Sequence, residues 1–180
     1  MKFKLSLVST TFLIFAVMVT AFAYWGGIPP LRAFSKSLSP EALNQEKVYE
    51  RATVTARRIF KQHGFSSRFS EQVGHYAVDS GLPARLVAAQ VIVESGGHPL
   101  AVSKAGAVGL LQVMPKIWNI SPEALKDPDT NLRVGTAILA HHIRAYGTRE
   151  GLRHYFGKSE GSHASELYAD RVLSVAGEIR

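Results

Sequence analysis

The chain has 180 residues, 46% of them apolar, a formal net charge of +7 and no cysteine. A chain of this length and apolarity can build a core without covalent staples, and global disorder is excluded. The lack of cysteine excludes disulfides, thiol catalysis, Cys-ligated metals and a lipid-modified N-terminal cysteine.

In chain order, Lys2 and Lys4 precede an uncharged run from Leu5 to Ala23 that closes on Ala21-Phe22-Ala23. A basic start, an apolar stretch and a small-x-small end describe a secretory signal over residues 1–23, cleaved after Ala23. The run also reaches the roughly 17–25 residues of a spanning helix, so an uncleaved N-terminal anchor is the second reading. Both readings carry the remainder across the inner membrane, to the periplasmic side, with the lysines inside. Without Lys2 and Lys4 the formal charge is 7 − 2 = +5. A basic exported chain meets anionic lipid or anionic cell-wall polymer. No basic run alternates with aromatics and no reader motif occurs, so nucleic acid is not an expected partner.

Residues 24–63 read as a linker followed by a helical arm. Gly26-Gly27 and Pro29-Pro30 mark the linker. Ser39-Pro40-Glu41 opens a helix with Ser as N-cap, Pro at N1 and an acid in the first turn. Val48, Ala52, Ala56, Ile59 and Phe60 recur at helical spacing as its apolar face, and Gly64 ends it.

Residues 64–180 read as an all-α domain. Ser66 or Ser67 starts a helix with Phe69, Val73, Tyr76 and Ala77 on one side and Gly81 as stop. Pro83 opens "PARLVAAQVIVES", whose apolar residues nearly encircle it, the mark of a buried helix. It stops at Gly96-Gly97. A long segment covers Asn131 to Tyr146 and closes at Gly147. Shorter helical pieces fit Ala107–Met114, Arg149–Phe156 and Glu166–Val175. Asp127 and Asp129 flank Pro128 in a turn, and Glu123 reads as a first-turn acid.

Glu94 falls in the last turn of the apolar helix. The helix dipole is negative there, and Val91, Ile92 and Val93 supply apolar cover. Both effects raise a carboxyl pKa, which suits a general acid at neutral pH. The alternative is a helix-end acid turned to solvent. Other constellations are weaker. "VESGG" lacks the first glycine of a nucleophile elbow. The seven histidines are scattered, the adjacent His141 and His142 face different sides of a helix, and no H-E-x-x-H occurs, so neither metal nor cofactor is expected.

Three stretches in this order, "ESGG", "SKAGAVGLLQVMP" and "NLRVGTAIL", resemble the catalytic domain of the soluble lytic transglycosylases. The resemblance runs roughly from Phe69 to Val175 and implies a lysozyme-like helical domain. It implies that Glu94 is the catalytic acid/base, that Ser103 lies beside the acid and the scissile sugar, and that Gln112 and Met114 line the glycan groove. The family usually shows Ala-Tyr-Asn-x-Gly before its last helix. Here "HYFGK" stands in that place, with Tyr155 as the tyrosine and Phe156 where Asn is expected. Tyr168, in "SELYADRV", matches a tyrosine of the last helix.

The family chemistry also accounts for a single acid, where most glycosidases use two carboxylates. The substrate's own C6 hydroxyl is the nucleophile, and an intramolecular nucleophile gains from proximity. The activity implied is cleavage of the MurNAc-GlcNAc β-1,4 bond of peptidoglycan with a 1,6-anhydro product. Two rival readings are a lysozyme-like muramidase using water and a catalytically weak peptidoglycan-binding assembly factor. Small family members open the wall for secretion, conjugation or pilus machines, and the compact chain fits such a membrane-spanning partner by analogy.

Overall fold

The computed structural model describes residues 39–157 and 162–177. The signal or anchor (1–23) and the linker stretch 24–38 lie outside these residues. Eight helices are described: α1 (Pro40–Gln62), α2 (Ser70–Asp79), α3 (Ala84–Ser95), α4 (Pro115–Trp118), α5 (Pro122–Leu125), α6 (Pro128–Tyr146), α7 (Thr148–Phe156) and α8 (His163–Val175). Among the described residues there is no strand, only two isolated bridges, Val102 to Val108 and Val108 to Val113. None of the described helices is long and apolar enough to cross a membrane.

Capping chemistry sets most of the boundaries. Ser39 Oγ accepts the Ala42 N–H at 3.1 Å, as a Ser N-cap should. From Asn44 onward the chain forms one compact unit. Within it Ala56, Ile59 and Phe60 of α1 are buried in the core, and Thr53 lies against Gly74 of α2 so closely that a side chain at Gly74 would strike the Thr53 backbone. Val48 is exposed, so the apolar face of α1 is shorter than its sequence spacing suggested.

Three boundaries depart from the sequence reading. The second helix starts at Ser70, and Ser67 contributes its carbonyl rather than a cap: it accepts both the Ser70 N–H and the Ser70 hydroxyl. The long helix starts at Pro128, because Asp127 is its N-cap, accepting the Thr130 N–H at 2.8 Å, and Pro128 takes N1. The last helix begins at His163, capped by Ser162.

The largest departure is Ala107–Met114, which is not helical. Gly109 (φ +83°) and Gln112 (φ +47°) both sit in left-handed conformations, which an α-helix cannot contain. The segment is a tight loop pinned by Val108 and Val113, which exchange backbone hydrogen bonds at 2.9 and 3.0 Å.

α3 is the buried axis of the domain. Leu86 through Ile92 are all buried, and α2 and α8 pack on it. α6 and α7 are joined at Gly147, and Gly151 lets α7 approach the α6 backbone at His142 and Ile143. α8 packs on both α7 and α3.

Candidate active site

α3 delivers Glu94 one residue before it ends. Gly96, in the left-handed conformation (φ +60°), donates its N–H to Ile92 O and turns the chain away. The carboxyl is half-buried, with Val91 and Ile92 buried just before it. Desolvation pushes its pKa up from 4.5 to about 7, against the opposing pull of a hydrogen bond from Tyr168. Of the two open readings, the acid withdrawn from water is the one observed.

Tyr168 reaches Glu94 from α8. Its hydroxyl donates to Glu94 Oε1 at 2.5 Å, and the ring is only 7% exposed. The Phe156 ring stacks on it at 4.8 Å between centroids. The position where the family usually carries an amide therefore holds an aromatic cover for the phenol. Tyr155, next in the chain, donates its hydroxyl to Leu111 O at 2.7 Å. Burial and the nearby Glu94 charge hold both phenols well above their ordinary pKa, so they remain protonated donors.

The loop after α3 is fixed to that helix end. Ser95 Oγ donates to Leu110 O at 2.9 Å and accepts the Gly97 N–H at 3.2 Å. Asn131, fully buried on α6, accepts the Leu111 N–H at 2.8 Å and donates to Val108 O and Leu125 O. Gly109 is required beneath it, since a Cβ there would lie 2.1 Å from Asn131 Nδ2. Leu111 is thus held at its N–H by α6 and at its carbonyl by α7.

Glu94, Tyr155 and Tyr168 come together. Gln112, Met114 and Tyr155 line one groove of about 480 Å³, with Trp118, His142 and Phe156 among its other walls. The Gln112 amide donates to Gly109 O at 2.9 Å and to Ala101 O at 3.2 Å, bracing its own loop. A larger concavity of about 750 Å³ continues past Ala105 and Met114, which both share, toward Lys104 and Lys116. Ser103 belongs to the loop that follows α3. Its hydroxyl accepts the Ala107 N–H at 3.0 Å, and no hydrogen bond among the described residues joins it to Glu94. Ser95 and Asn131 did not emerge from the sequence reading as positioning groups, although both lie within quoted motifs. Among the described residues no cluster of His, Asp or Glu has the arrangement to hold a metal.

The transglycosylase SLT domain family matches residues 71–158. The endo-type membrane-bound lytic murein transglycosylase A of Cronobacter sakazakii is 38% identical, over 40% of this chain and 40% of that one. A transglycosylase of Enterobacteria phage PRD1 is 36% identical, over 43% of this chain and 29% of that one. The chain therefore spans well under half the length of either relative. A solved structure of an inactive mutant of the lytic transglycosylase Slt from Pseudomonas aeruginosa superposes with a TM-score of 0.54 at 22% identity, over 62% of this chain and 24% of that one. That likeness bears on the fold alone, which is all-α and lysozyme-like. The match to the transglycosylase SLT domain family, over residues 71–158, takes in Glu94 and all three motifs that resemble that family.

Proposed function

We propose that the protein is a peptidoglycan lytic transglycosylase in which Glu94 is the general acid and then the general base. One observation carries this reading: a carboxyl with a pKa pushed up to about 7 at the end of a buried helix, in a family of transglycosylases. Near neutral pH such a group populates both protonation states, which one residue needs if it is to serve both half-reactions.

In the first half-reaction, the MurNAc C1–O4 bond breaks and Glu94 gives its proton to the departing GlcNAc O4. The substrate N-acetyl group stabilises the positive C1. In the second, the C6 oxygen of the same MurNAc attacks C1 and its proton passes to the Glu94 carboxylate. Atoms balance without water, and the product end is 1,6-anhydro-MurNAc. Tyr168 donates to Oε1 and stabilises the carboxylate left after the first transfer. Gln112, Met114 and Tyr155 line the strand's groove, and Ser103 sits at its loop edge as a further sugar contact. The basic charge suits a polyanionic wall. The N-terminal pattern supports export to the periplasm, by a cleaved signal or an inner-membrane anchor. The small size supports service to an envelope-spanning secretion, conjugation or pilus machine.

The test is digestion of purified sacculi followed by mass analysis of the muropeptides. Anhydro ends, lighter by one water than reducing ends, are expected. Reducing ends would instead identify a muramidase, and sacculus binding without any release would identify a binding factor.

A further inference from the structure

Gln90 lies one turn before Glu94 on α3, so both side chains project from the same helix face. The two converge on a single oxygen. Tyr168 donates its proton to Glu94 Oε1 at 2.5 Å, and Gln90 Nε2 donates to that same phenol oxygen at 3.3 Å. Gln90 is 0% exposed in the middle of the otherwise apolar stretch from Leu86 to Val93, and its Oε1 has no partner among the described residues. A buried amide with an unpaired oxygen lowers stability, whereas an apolar side chain of similar size at this position would not. Packing alone therefore does not explain a glutamine here.

We propose that Gln90 is a positioning residue for the acid, acting through Tyr168. This rests on the reading of Glu94 as the acid/base. A phenol oxygen carries one proton and has limited capacity as an acceptor. With the Gln90 N–H on its lone pair, the Tyr168 proton is directed at Glu94 Oε1. A protonated Glu94 then finds the phenol oxygen already occupied, so its acidic proton sits on Oε2, away from Tyr168, where it can be given away. The same donation polarises the phenol O–H and strengthens its bond to the carboxylate form. The groups facing Glu94 from other elements are both phenols, Tyr168 on α8 and Tyr155 on α7.

The test titrates the Glu94 carboxyl by NMR in the full chain, as wild type, Gln90→Met, Tyr168→Phe and the double variant. Tyr168→Phe should raise the Glu94 pKa by roughly one to two pH units, the worth of a hydrogen bond to a charged group. Gln90→Met should raise it by about half a pH unit, since its bond is longer and acts at second hand. In the Tyr168→Phe background, Gln90→Met should have no further effect. The same shift with and without the phenol would overturn the proposal, and so would a lowered pKa in Gln90→Met. The wild type gives a check that needs no variant: the Gln90 side-chain amide protons should move with the Glu94 midpoint. Amide signals that stay flat across that titration would also sink the idea. Muropeptide release by the wild type separates this inference from the enzymatic reading. Coupled titration without cleavage leaves the relay standing and removes the function, and cleavage with uncoupled titration does the reverse.

Discussion

Tyr49–Asp79 and Tyr168–Glu94 are tyrosine–carboxylate pairs built from the same chemistry in different solvents. Tyr49 donates to Asp79 Oδ1 at 2.7 Å on the surface, between α1 and the end of α2, and Asp79 is exposed. Tyr168 donates to Glu94 Oε1 at 2.5 Å under the cover of Phe156. Both acids stand in the last turn of a helix. At the surface, water does most of the solvation and the bond ties two helices at little net energy. Inside, the phenol replaces part of a missing water shell, and the acid holds its proton to about pH 7. Withdrawal from solvent outweighs the partner: desolvation raises the Glu94 pKa although the Tyr168 bond lowers it.

The widest separation between the pairs should be in activity. Glu94→Gln should lower sacculus cleavage by at least about 10²–10⁴-fold, because both half-reactions lose their proton carrier. Asp79→Asn should leave the rate unchanged. Comparable losses from the two variants, measured as muropeptide release, would break the comparison.

The next contrast tests the cover itself. Asn131→Ala leaves the Leu111 N–H and the Leu125 carbonyl unpaired and takes one of two donors from Val108 O, at a cost of roughly 3 kcal/mol, read as a fall in denaturation midpoint. If the pinned loop keeps water from Glu94, its pKa should drop toward 4.5 in the same variant. An unchanged titration in a destabilised protein would show that the loop is structural only.

A third outcome follows from linkage. The folded-state pKa of Glu94 is raised above its ordinary value of 4.5 to about 7. The folded protein therefore holds that proton more tightly than the unfolded chain does. The benefit is full below about pH 4.5 and is lost as pH rises to about 7, on the order of 3 kcal/mol in all. Glu94→Gln should flatten this part of the stability profile and melt higher than wild type at pH 8. The smallest effect belongs to the surface pair, where Tyr49→Phe should change stability by less than about 1 kcal/mol.

Much of this fold could be read from caps and periodicity. Ser39-Pro40, the apolar run of α3 and the glycine stops announce helices because each satisfies a local rule. Where the reading slipped, a polar side chain was serving a neighbour not visible in the local pattern. Asp127-Pro128 looked like a turn, yet the same pair is a cap and an N1 proline. "AVGLLQVM" has the composition of a helix, but Gly109 and Gln112 take left-handed backbone that Asn131, twenty-two residues beyond Gly109, makes worthwhile. Glu94 was legible because two local effects, the helix end and the apolar neighbours, point the same way. Its partner Tyr168 was legible only through the family resemblance, since nothing local links residues 74 positions apart. Ser103 was likewise legible only through the motif it matched; its hydroxyl accepts the Ala107 N–H of its own loop and keeps its proton to donate.

The double anchorage of Leu111 has a consequence for hydrogen exchange. Loop amides commonly exchange through small local openings. The Leu111 N–H is held by a buried side chain of α6, while its carbonyl is held by α7. Freeing that amide requires Asn131 to leave the core, which leaves Leu125 O unpaired and Val108 O with only the Val113 N–H. Leu111 should therefore exchange with the slow amides of α6 rather than with its loop neighbours. Tyr155, which lines the groove, is tied to this slow point through the Leu111 carbonyl, while Ile117 and Trp118 on the same groove are exposed.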